Sequence, residues 1–117
     1  MSAAAIVILA GTDARSDTGR VVNGLETAKE FADAGDDVEL IFDGAGTQWV
    51  GELEDESHPY HDLYRSVRDL ATACEYCVGV YETAEAVDAA GIERVDENDG
   101  HPSIRSLVAD GYEVITF

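Results

Sequence analysis

Cys74 and Cys77 are the residues whose type and spacing point most directly to chemistry. They are the only 2 cysteines of the chain and stand as C-x-x-C. The thiolate, not the thiol, is the nucleophile, so what matters is which sulfur is held in an environment that favours negative charge. The pattern places Cys77 at or near a helix start, where free N–H groups and the helix dipole favour an anion. Cys74 falls at the end of the preceding strand, where it can assist or resolve an oxidised or persulfidated Cys77. Arg15 and Arg20 are the expected local cations, set against an anionic chain. The opposing reading is that both cysteines are small buried hydrophobes. A thioredoxin-type C-x-x-C follows the first strand of its unit, whereas this one follows the third.

Other candidates surround the pair. Zinc takes four protein ligands in structural sites and three in catalytic ones. Cys74, Cys77, His58, His61 and His101 are on offer. His58-x-x-His61 straddles Pro59 at a helix entrance and a second thiol pair is missing, so no native metal site and no cofactor are expected. In open α/β sheets ligands bind beyond the carboxyl ends of the strands. Residues 11–19, 43–49 and 74–77 converge there. Small-ligand contacts are therefore expected from Gly11, Thr12, Arg15, Arg20, Gly44, Gly46, Trp49 and His101. Gly44-Ala45-Gly46 completes no dinucleotide fingerprint and no P-loop lysine follows, so a tight turn with close backbone approach is its first reading. Trp49 reads first as core or subunit interface, and second as a stacking platform. His101, in the turn Asp99-Gly100-His101-Pro102-Ser103, can face the thiols.

The elements that must position these groups follow from periodicity. Ala5 to Ala10 is a continuous apolar run, the pattern of a strand covered on both faces. Gly19 to Ala34 carries apolar residues at helical spacing and ends at Gly35. Asp37 to Phe42 is a second strand and Gln48 to Leu53 a short amphipathic segment. Pro59 starts a helix running to about Asp69, and Leu70 to Cys74 is a third strand. Cys77 to Ala90 is mostly helical, broken near Gly79 and closed by Gly91. Ile92 to Val95 is a short strand, Pro102 to Asp110 a helix closed by Gly111, and Tyr112 to Phe117 the last strand. Strands and helices alternate, which predicts one α/β domain over residues 1–117. Its expected architecture is a three-layer α/β/α fold on a mostly parallel five-stranded sheet.

Composition narrows the function classes. The chain has 25 acidic and 7 basic residues, a net charge of −18, and a single lysine, Lys29. The acids are dispersed among apolar residues rather than gathered in a tail, which reads as a whole surface adapted to high salt. A phosphate backbone needs a cationic footprint that seven scattered cations do not make, so neither nucleic acid nor an anionic membrane is an expected partner. Met1 to Ala5 lacks the positive region of a signal peptide, and Ala3 to Ala10 is too short to span a bilayer. A cytoplasmic location with reduced thiols is expected.

Four segments together resemble the DsrE/DsrF-like family. They are residues 19–28 (Gly19-Arg20-Val21-Val22-Asn23-Gly24 onward), the turn Leu40 to Thr47, Cys74-Glu75-Tyr76-Cys77, and residues 99–107. The likeness runs over the whole chain and is nearest to stand-alone family proteins; with the acidic surface it points to a haloarchaeon. It implies a flavodoxin-like sheet, homotrimers or hexamers, and, in some members, a cysteine after the third strand that carries persulfide sulfur. Cys77 matches that cysteine, and Cys74 the first cysteine of C-x-x-C variants. The reading that results is a cytoplasmic sulfur carrier or sulfurtransferase-like protein with sulfur donor and acceptor protein partners. The rival is a non-catalytic oligomeric module that binds a small ligand and keeps its cysteines for structure. A redox dithiol is a third reading.

Overall fold

Ala3–Ile8 forms β1 because its run of alanine, isoleucine and valine leaves no polar side chain to solvate on either face. The structure is a computed structural model describing residues 2–117; Met1, part of the stretch read above for a signal peptide, lies outside them. The chain continues as α1 (Arg15–Asp33), β2 (Asp37–Phe42), a 3₁₀ turn (Gly44–Gln48), α2 (Trp49–Glu54) and α3 (His61–Val67). A second 3₁₀ turn (Arg68–Leu70) leads into β3 (Ala71–Cys74), α4 (Glu75–Val80), α5 (Ala84–Ala89), β4 (Glu93–Val95), α6 (Ile104–Ala109) and β5 (Glu113–Thr116).

The strands pair in the order β4-β3-β2-β1-β5, and every pairing is parallel. The expected three-layer α/β/α, flavodoxin-like architecture is thus present, with an all-parallel sheet where mostly parallel was predicted. From β1 to β4 the chain steps one way across the sheet. Right-handed crossovers then place α1 to α5 on one face, where α3 packs on α1 and α2 on α5. Ala4, Ile6, Ile8, Leu40, Phe42 and Ala73 alternate onto that face and meet Val21, Leu25, Val50, Leu53 and Tyr64 from the helices. The return to β5 carries α6 to the opposite face, where Ala5, Val7 and Ile41 are also buried.

Boundaries differ where caps are concealed. Helix α1 begins at Arg15, not Gly19, because the Asp17 carboxylate accepts the Ala14 N–H (3.2 Å) and supplies the cap that Ala14 lacks. The break expected near Gly79 falls instead at Tyr81–Thr83, where Glu82 turns to φ +55°, and the first piece begins at Glu75 rather than Cys77. Pro59 stands before α3 rather than in its first turn. Gly35, Gly91 and Gly111 follow α1, α5 and α6 with positive φ, as their sequence positions imply. Among the described residues, no helix is long and apolar enough to cross a membrane.

Candidate functional site

Strand carboxyl ends carry the site, and the loop after β2 forms its floor. The Asp43 N–H donates to the Ile8 carbonyl (2.9 Å), and its Oδ1 accepts the Gly44 N–H (2.8 Å). Gly46 presses on the end of β1 so closely that a Cβ there would collide with the Ile8 carbonyl. The expected close approach is therefore real. Trp49 is 4% exposed, and its indole N–H is shared between the carbonyls of Ala10 (3.0 Å) and Gly11 (2.9 Å). The stacking role is corrected: Trp49 is a core residue that braces the loop after β1, and Gly11 is one of its acceptors.

Cys74 is both the last residue of β3 and the N-cap of α4, where its sulfur accepts the Cys77 N–H (3.5 Å). It is fully buried. That burial pushes its thiol up to about 12; the negative Asp43 and the Cys77 sulfur add to the rise, and the Cys77 N–H works against it. At neutral pH Cys74 is therefore a thiol. Its sulfur lies 3.4 Å from His101 Nδ1 and 3.8 Å from the Gly100 carbonyl. Cys77, on the first turn of α4, is half-buried, and its thiol donates to Asp43 Oδ1 at 3.5 Å.

His101 arrives on the loop after β4. Asn98 and His101 exchange two backbone hydrogen bonds of 2.8 Å each around Asp99 (φ +51°) and Gly100 (φ +89°). The Tyr76 N–H ties this turn to α4 through the Gly100 carbonyl (2.8 Å), and the Tyr76 ring lies 4.7 Å from the imidazole. The fold thus brings His101 to the thiols: one donor atom from each of Cys74, Cys77 and His101 lies within 4.8 Å of the other two. These three are the residues able to hold a soft metal. As a chemical assembly they offer an accessible thiol with a carboxylate acceptor, backed by a protonated thiol and an imidazole.

The other candidates sit elsewhere. Arg15 is exposed at the start of α1. Arg20 pairs with Asp17 (3.1 Å) and faces a shallow pocket with Leu9, Ala10, Thr116 and Phe117. Neither arginine bonds to a sulfur; the charged neighbour of Cys77 is Asp43, the opposite sign to that expected. Asp43 was missed as a site residue, although its place directly after β2, in a loop expected to converge on the cysteines, was a usable signal. Thr12 is half-buried in the loop after β1, and Gly44 follows Asp43 with φ +56°. His58 Nδ1 accepts the Tyr60 N–H (3.1 Å). His61 is buried with Nδ1 2.7 Å from the Leu53 carbonyl, which requires the proton on Nδ1. That histidine pair is structural.

No family model matches the chain. The uncharacterized protein MJ0733 of Methanocaldococcus jannaschii is 30% identical over 90 residues, 75% of this chain and 72% of that one. At that identity and coverage the chain belongs to the family of that archaeal protein. The solved structure of BT1422, a conserved protein of unknown function from Bacteroides thetaiotaomicron, matches with a TM-score of 0.60 at 15% identity. That likeness covers 97% of this chain and 94% of the other, and shows a shared fold.

Proposed function

We propose that this member of the MJ0733 family is a cytoplasmic sulfur carrier of the DsrE/DsrF-like kind, holding a persulfide on Cys77. The observation that carries the reading is the asymmetry of the pair: Cys77 is accessible beside a carboxylate, and Cys74 is buried and protonated beneath it. Cys77 gives up its thiol proton toward Asp43 or solvent. The thiolate then attacks the outer sulfur of a donor persulfide R–S–SH. The donor S–S bond breaks, R–S⁻ leaves with the electron pair, and Cys77–S–SH forms. An acceptor thiolate repeats the step on the outer sulfur and regenerates Cys77. A resolving thiol would instead attack the inner sulfur, expel hydrosulfide and leave a disulfide. A Cys74 that stays protonated at neutral pH does not do so readily, which keeps the sulfur available for transfer. Cys74 thus assists rather than resolves. Donor and acceptor proteins, and a homotrimer or hexamer presenting several such sites, belong to the same proposal.

Intact mass after exposure to a low-molecular-weight persulfide tests it. One sulfur atom is gained on Cys77, lost on reduction and absent in Cys77→Ser, while Asp43→Asn slows uptake by about 100-fold. A chain that never gains sulfur under these conditions is not a carrier. The rival, a small-ligand module with structural cysteines, draws support from Cys74 as a helix cap. It would prevail if the double Cys→Ala variant matched the wild type in every assay.

A further inference from the structure

We propose that Cys74, Cys77 and His101 form a zinc site, with a fourth position open to water or to an incoming thiol. The proposal goes beyond sulfur carriage and does not depend on it. A tetrahedral zinc ion with Zn–S of about 2.3 Å and Zn–N of about 2.0 Å separates a sulfur from a nitrogen by roughly 3.5 Å, and two sulfurs by roughly 3.8 Å. Cys74 Sγ and His101 Nδ1 already stand 3.4 Å apart. The three donors lie within 4.8 Å of one another, so the longest edge closes by at most about 1.3 Å.

The surroundings suit a coordinated thiolate. The Cys77 N–H already points at the Cys74 sulfur, and the Tyr76 ring, tilted against the imidazole, and the Asn98–His101 turn hold that imidazole in place. The spacing of His58 and His61 offered no such set; the assembled donors come from β3, α4 and the loop after β4 instead. Two sulfurs and an imidazole favour zinc over magnesium or calcium, which prefer oxygen ligands. On binding, both thiols release a proton to solvent, and two thiolates balance the 2+ charge of the ion, so the ion and its three ligands carry no net charge. Three protein ligands with one open position is the arrangement of catalytic rather than structural zinc. Since the ion engages the Cys77 sulfur, zinc and sulfane sulfur compete for the same atom.

The full chain, reduced and stripped of metal, is titrated with Zn²⁺ against a chromophoric chelator and separately with Co²⁺ alone. One ion per chain is expected, and the cobalt form should show intense thiolate-to-metal charge transfer with tetrahedral d–d bands. Affinity should fall by about 100-fold in Cys77→Ser and in His101→Ala, variants that leave the Cys74 cap in place and are each checked for native circular dichroism. Cobalt bound without thiolate charge transfer would mean binding by surface carboxylates and would overturn the proposal. So would wild-type affinity in both folded variants. Sulfur uptake is measured on the metal-free chain, so a protein that binds zinc through both thiols yet never gains sulfur keeps this site and loses the carrier role.

Discussion

Cys74 and Cys77 are three residues apart and occupy different solvents. One sulfur is sealed under α4; the other is half-open beside Asp43. The difference predicts ordered modification. Under native conditions a small alkylating reagent labels Cys77 alone, and Cys74 reacts only when the chain is unfolded or the pH approaches the raised value of about 12. Peptide mapping of the first label checks this; equal labelling of both would refute the assigned burial. The pair and its place between a strand end and a helix start were legible; that Cys74 itself caps α4, and is the buried one, was not. Nor were the electrostatics of the pair. Arg15 and Arg20 lie near the right strand end in the chain, but their side chains leave toward solvent and Asp17. Sequence distance says nothing of that direction.

The elements that hold the pair depend on one backbone approach. Gly46→Ala drives a methyl into the Ile8 carbonyl, which is backbone and cannot rotate away. We expect a loss of about 2 kcal/mol or more, read as a lower thermal midpoint, with faster reaction of Cys77 as the floor beneath it loosens. Gly19→Ala is the control: it lies inside α1, a Cβ there meets nothing within 4 Å, and it should add about 1 kcal/mol. A Gly46→Ala protein as stable as the wild type would contradict the packing described. The strands and the glycine stops were readable from periodicity; their order across the sheet, β4-β3-β2-β1-β5, was not. Nor was the start of α1, which Asp17 caps from inside the helix; the break before α5 was expected near Gly79 but falls at Glu82, a residue that carries no turn signature.

Across the whole molecule, charge sets the conditions of stability. With a net charge of −18, the fold should melt at higher temperature in about 1 M salt, where the screening length falls to about 3 Å. Glu39 is a local instance. It lies on β2 toward the thinly covered sheet face; burial, then the nearby Glu97 and Glu93, raise its carboxyl above the ordinary range. The folded chain therefore holds this proton more tightly than the unfolded one. Its stabilising contribution is complete below the ordinary carboxyl range and lost as pH rises through the raised value. Glu39→Gln should accordingly raise the thermal midpoint at pH 7, with a gain that shrinks on acidification and partly in salt. An unchanged midpoint at pH 7 would rule out this account. The anionic surface was plain in the composition; the placement of Glu39 needed the strand register that sets which side chains share a face. A last consequence concerns inheritance. The first turn of α4 requires an acceptor at position 74, and a sulfur fills that place. Serine, asparagine or aspartate would cap the turn as well. Descendants of this chain can therefore exchange that sulfur in a single step and keep the architecture, so kinship in fold is a poor guide to which relatives retain the thiol pair.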